Sequence, residues 1–119
     1  MALNRSWSLL VGTGGIGSGI TMRLEGDHTL GREESRAVQL LEGRDYCKLH
    51  IVFHYARRLL QDDVQVIPIG KVGADDTGRT LLGEIADVGL SLDSITTVDG
   101  LDTLYAVAFS YPSGEGGNL

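Results

Sequence analysis

Apolar positions recur along this chain in more than one rhythm. Between about Tyr46 and Leu60 the rhythm is helical. At about 100° per residue, Leu49, Val52, Phe53, Ala56, Leu59 and Leu60 fall within an arc of about 120°. Cys47, His50, His54, Arg57 and Arg58 take the opposite side, and Asp45 stands where an N-cap is expected. Val64 to Ile69 is nearly continuous in apolar residues, as in a strand covered on both faces. Trp7 to Gly12 predicts another buried strand and Ile20 to Leu24 a short alternating one. Leu81, Leu82, Ile85 and Val88 share one face of a second helix, which Asp75 or Asp76 can cap and Gly89 ends. Residues 94–98 and 103–111 predict two further strands.

Glu33 to Leu41 is a shorter helix candidate, with acidic residues at its start and Gly43 just past its end. The succession of strands and helices is an α/β pattern with mainly parallel pairing. The closing segment, with its polar turn Pro112–Gly117, predicts an antiparallel ribbon instead.

At 119 residues the chain is one domain at most. A formal charge of -6 argues against a nucleic-acid or anionic-membrane surface, since either needs a basic patch. No apolar run approaches the roughly 20 residues of a membrane-spanning helix. The single cysteine, Cys47, cannot close an internal disulfide, which suits a reducing cytoplasm.

Several residue groups carry candidate chemistry. Gly12-Thr13-Gly14-Gly15-Ile16-Gly17 has the spelling G-x-G-x-x-G after a predicted strand, the form of a dinucleotide-binding turn. That site would need a helix opening near Gly15, and glycines at 19, 26 and 31 make a poor one. A strand-end turn without phosphate is the plainer reading. Cys47, His50 and His54 share one helix side, which admits zinc in principle but equally a polar face beside a ligand cleft. No metal site is assigned. Asp75 and Asp76 could meet magnesium, although capping accounts for them; Lys71 could meet a phosphate or stand solvated on its loop. No nucleophile triad is readable around Cys47.

A larger pattern links residues 45–118. Tyr55-Ala56-Arg57-Arg58-Leu59 is followed by a strand and by the turn Gly70, Val72, Gly73, Asp75, Gly78, spaced as Gly-x-Val-Gly-x-Asp-x-x-Gly. A second helix, the Thr103-led strand and the glycine turn Gly114 to Asn118 come next. This order resembles the N-terminal part of PfkB/ribokinase-type carbohydrate kinases, over about two-thirds of the chain.

The resemblance implies a ribokinase-like α/β fold with a partial parallel sheet, flanking helices and a lid-type β ribbon. It implies transfer of the γ-phosphate of Mg-ATP to a hydroxyl of a sugar or nucleoside. Residues 1–119 would form the substrate and lid side of such a domain. Substrate contacts would fall to Asp45, Lys48 and His50 at the helix start and to Thr103 and Tyr105 on the ribbon. Gly70, Gly73, Asp75 and Gly78 would hold the turn.

The chain also departs from the family. Asp45-Tyr46 replaces the glycine pair of the sugar motif, His50 falls near its asparagine, and Gly15 to Gly17 stand near the first-strand aspartate. The catalytic base and nucleotide site of the family lie in a C-terminal half that has no counterpart before Leu119. The expectation is therefore a truncated chain with no catalytic residue, and with ATP and Mg2+ sites mostly outside it. Exposed strand edges or the ribbon would favour a homo-oligomer. The alternative is a stand-alone, non-enzymatic α/β module that binds a ligand or self-associates; a dinucleotide-binding domain comes third.

Overall fold

The computed structural model describes residues 7–119. The strands are β1 (Leu9–Thr13), β2 (Gly17–Leu24), β3 (Val38–Tyr46), β4 (Gln65–Gly73), β5 (Ile95–Val98), β6 (Leu104–Ser110) and β7 (Gly116–Asn118). The helices are α1 (Lys48–Leu60) and α2 (Asp76–Asp87), with a 3-10 turn at Gln61–Asp63. Contacts gather into two compact units, one of residues up to 17 with 46–104 and one of 18–45 with 105–119.

The first unit is built on a parallel three-stranded sheet in the order β1-β4-β5. β1 runs beside the first half of β4, from Leu9↔Gln65 to Thr13↔Ile69. β5 runs beside the second half, from Gly70↔Ile95 to Gly73↔Val98. The halves succeed one another, so at Pro68 the strand has a partner on one side only, and a residue without an N–H is tolerated there.

The core joins Ile16, Leu49, Phe53, Val66, Val72, Leu81, Ile85 and Leu90. Leu81 and Ile85 of α2 are among its most enclosed side chains, each contributing about 1.5–3 kcal/mol by leaving water. Gly89, at φ +88°, turns the chain after α2 in a left-handed conformation that suits glycine.

The second unit carries most of a four-stranded sheet in the order β3-β2-β6-β7. β6 and β7 pair antiparallel, Ala108↔Asn118 to Ser110↔Gly116, as expected of the ribbon. Tyr111 closes the turn between them by donating its N–H to the Glu115 carbonyl at 2.7 Å.

Four sequence expectations need correction. The helix expected over Glu33–Leu41 is absent: Val38–Tyr46 is a strand, and Glu33 sits at φ 61°, outside the right-handed helical region. Gly43, expected as a helix terminator, lies inside that strand at φ +102°. Sheet pairing has overridden a local helical preference.

Asp45 does not cap α1. β3 continues through Tyr46, so the N-cap is Cys47, whose side chain makes no capping bond. The buried face of α1 is also rotated from the expected arc. Leu49, His50 and Phe53 are buried, whereas Val52 and Leu59 are 54% and 77% exposed. Finally, β1 forms where expected but is largely exposed at Leu9 and Val11, because it lies at the sheet margin.

Candidate functional site

The glycines of residues 12–19 have a structural explanation. No helix opens at Gly15; the chain enters strand β2 at Gly17, so no helix N-terminus faces a phosphate there. A Cβ at Gly12 would lie 2.6 Å from the Phe53 ring. At Gly17 it would lie 2.6 Å from the Leu104 carbonyl oxygen, and at Gly19 it would lie 2.3 Å from that of Ala106. Close approach of neighbouring backbone, rather than nucleotide binding, excludes side chains at positions 17 and 19.

The motif Gly70–Gly78 forms the end of β4, a turn and the start of α2. Asp75 is the N-cap of α2 and accepts from the Gly78 N–H at 2.7 Å. Its other bonds reach across the sequence: Oδ2 accepts from the Thr103 N–H and Oδ1 from the Thr103 hydroxyl, each at 2.7 Å. The hydroxyl of Thr103 in turn accepts from the Gly73 N–H at 2.8 Å. These donors hold the Asp75 carboxyl below its usual range, the Thr103 hydroxyl being the largest cause, followed by the Thr103 and Gly78 N–H groups. Gly73 must lack a side chain, since a Cβ would lie 2.1 Å from the Leu101 carbonyl oxygen. At Gly78 the clash would be with the Gly73 oxygen at 2.3 Å, and at Gly70 with Ile16 at 2.7 Å.

This lock brings segment 98–104 against the carboxyl ends of β1 and β4. A cleft of about 220 Å³ opens there, with Gly15, Ile16, Lys71, Asp102 and Leu104 on its walls and Val72, Gly73, Val98, Leu101 and Thr103 completing it. The region outside the carboxyl ends of parallel strands is where open α/β sheets take ligands. The lining is mostly apolar or glycine, with one ammonium (Lys71) and one carboxylate (Asp102). That composition suits a small molecule with an apolar face and hydroxyls at its rim.

The residues expected to touch substrate fall in both units. Thr103 is buried at the cleft, with its hydroxyl engaged by Gly73 and Asp75. Lys48 is the exposed first residue of α1. His50 is buried between the stacked rings of Tyr46 and His54, at centroid distances of 4.4 and 4.1 Å. Its Nε2 lies 3.5 Å from a carboxylate oxygen of Glu84 on α2. Asp45 and Tyr105 belong to the second unit, at the end of β3 and on β6.

Sequence reasoning noticed Lys71 without linking it to a partner, and it passed over Asp102. Only the fold places residues 71 and 102 on one cleft. Its sole sequence signal is that Asp102 precedes Thr103, the residue that anchors the lock. Another cleft, of about 320 Å³, is lined by His54, Tyr55, Arg58, Glu84, Asp87 and Val88.

The described structure has the ribokinase fold. The chain is similar to the ribokinase of Giardia lamblia (TM-score 0.69, 17% identity), covering 97% of this chain and 33% of that one. It is similar to the Burkholderia thailandensis nucleoside kinase solved with inosine (TM-score 0.68, 20% identity), covering 93% and 35%. The Arabidopsis thaliana ribokinase solved with ribose and ATP gives a TM-score of 0.67 at 20% identity, covering 97% and 36%. The chain thus spans about a third of the length of these structures. No protein-family model matches it, and no curated protein matches it by sequence. The α/β ribokinase-like architecture anticipated from the Gly70–Gly78 turn and the Thr103 strand is therefore the architecture present.

Proposed function

We propose that this chain is the substrate-side part of an ATP-dependent carbohydrate or nucleoside kinase of the PfkB type. The observation that carries the reading is the cleft of about 220 Å³ at the carboxyl ends of the parallel strands, in a ribokinase fold. Support also comes from the neighbours whose structures were solved with ribose, inosine, ADP and ATP. In the proposed reaction a substrate hydroxyl attacks the γ-phosphate of ATP. This part of the protein binds and orients the substrate, and holds water away from one of its faces.

Phosphoryl transfer also requires a positioned base and cationic stabilisation of the moving phosphate. This reading assigns Mg2+ no ligand among the described residues, the ion being held by the phosphates of ATP together with one or two carboxylates of the whole kinase. No catalytic residue is assigned. The 119-residue chain alone is expected to bind substrate without turning it over.

Thr103 serves in this reading as the anchor of the cleft wall. Lys48 and His50 remain candidates for substrate contact at the start of α1, as do Asp45 and Tyr105 in the second unit. The uncharged β1, with Leu9, Leu10 and Val11 exposed, supports pairing with another copy of the chain. No helix is long and apolar enough to cross a membrane. A reducing cytoplasm is the proposed setting, on the strength of the single Cys47.

The test is calorimetric titration of the chain with ribose, fructose and inosine, with an assay for ATP turnover alongside. Binding of one of them without turnover is the expected result. Failure of all three, and of a wider panel of sugars and nucleosides, would remove the reading. Sedimentation over a range of concentrations checks self-association, and a constant monomer would remove that part alone.

A further inference from the structure

Lys71 and Asp102 are the two charged residues lining the cleft at the ends of β1, β4 and β5. Neither side chain takes part in a hydrogen bond or ion pair among the described residues, and no ion pair joins the two. Thr103 and Asp75, beside them, have their side-chain polar atoms engaged in the lock. The cleft therefore presents one uncommitted cation and one uncommitted anion, both exposed, on apolar walls.

We infer that Lys71 and Asp102 are the specificity-determining pair of this cleft, and that they select a neutral, polyhydroxylated ligand over its phosphorylated form. The inference rests on the kinase reading and deepens it. A hydroxyl group is both donor and acceptor. One hydroxyl of the ligand donates to the Asp102 carboxylate, while another accepts from the Lys71 ammonium. A phosphate meets attraction from Lys71 and repulsion from Asp102 in the same small space, so added charge brings no net gain. Gly15 leaves its part of the wall without a side chain, which lets a ring lie close to the backbone. Val98, Leu101 and Leu104 give that ring an apolar face.

The experiment is a titration of the isotope-labelled chain followed by two-dimensional amide NMR, using ribose, inosine and ribose 5-phosphate as probes. The neutral probes are expected to shift the amides of Gly15, Lys71, Asp102 and Leu104, and ribose 5-phosphate to bind no more tightly than ribose. Lys71→Met and Asp102→Asn should each weaken the neutral probe by about tenfold or more, the usual consequence of losing a hydrogen bond to a charged group. Both positions are exposed, so an unchanged melting temperature certifies the fold of each variant.

Three outcomes would overturn the inference. If a neutral probe binds but shifts only residues elsewhere, the pair is wrong while the kinase reading stands. If ribose 5-phosphate binds tenfold more tightly than ribose at the same amides, the cleft is a phosphate site. If no sugar or nucleoside binds at all, the inference and the kinase reading fall together.

Discussion

Each unit contains a carboxylate that gathers backbone and side-chain donors around itself, and the two act over very different distances along the chain. Asp75 in the first unit binds Gly78 in its own turn, and Thr103, 28 residues away. Glu34 in the second unit binds only near neighbours. It accepts from the Gly31 N–H at 2.7 Å and from Arg36 at 2.6 and 2.8 Å, and it meets His28 at 2.9 Å. Arg36 then donates to the carbonyl of His28 at 2.7 Å, which closes the loop upon itself. The Asp75 lock joins the ends of two strands and shapes a cleft; the Glu34 lock shapes one loop. The same chemistry is architectural in one place and local in the other, and the difference lies in sequence separation.

The largest test of this contrast is Gly73→Ala. The new methyl would lie 2.1 Å from a backbone carbonyl oxygen, which cannot move without shifting segment 101–103. Overpacking of this kind costs about 1–3 kcal/mol or more, enough to remove much of a small domain's stability. A fall in the urea midpoint accompanied by loss of sugar binding is expected. Unchanged binding would mean that the segment is not fixed by this contact.

Next comes Thr103→Val, which keeps the shape but takes the hydroxyl away from the buried Gly73 N–H and from Asp75. An unmet buried donor costs about 1–3 kcal/mol, and chemical denaturation measures it. A loss as small as that of an exposed substitution would show that water replaces the hydroxyl at no cost.

The pH dependence separates the two locks further. Both carboxyls have folded values below their ordinary ones, so each stabilises its surroundings above the ordinary value and loses that effect as the pH falls. For Glu34 the window runs from 4.5 down to about 2, set by the Gly31 N–H first and Arg36 next. For Asp75 it lies below 3.8. Protection of the Gly31 amide, taken relative to its intrinsic exchange rate, is expected to fall as the pH drops from 4.5 toward about 2. Protection that stays constant over that range would contradict the assignment.

The smallest effect is expected from Glu34→Gln. The Gly31 amide should exchange faster, with sugar affinity and the melting of the first unit unchanged. A drop in sugar affinity would show that the loop reaches the ligand, and would end the distinction between an architectural and a local lock.

The two locks were unequally legible in the sequence. Asp75 sits in a regular glycine spacing before an amphipathic run, so a cap at Asp75 or Asp76 could be read directly, and the structure places it at Asp75. Its bond to Thr103 could not, because nothing local to either residue announces the other. Glu34 lies in a segment whose composition favours a helix, and only the pairing of Val38–Tyr46 within a sheet set that preference aside. On α1 the apolar repeat gave the helix correctly but placed its buried face too far toward Val52 and Leu59, since His50 is covered on the side of α2.

By itself the sequence determined the local elements whose periodicity or capping is strong: α1, β4, the Asp75 turn, α2 and the closing ribbon. These are decided by interactions within a few residues, where side-chain spacing and backbone preference suffice. The tertiary structure alone decided that the glycines at 17 and 19 admit neighbouring backbone rather than a nucleotide. It also decided that Thr103 is an anchor, and that Lys71 and Asp102 share a cleft. Such contacts join residues between 28 and 87 positions apart, and only the closing of the two sheets brings them within reach.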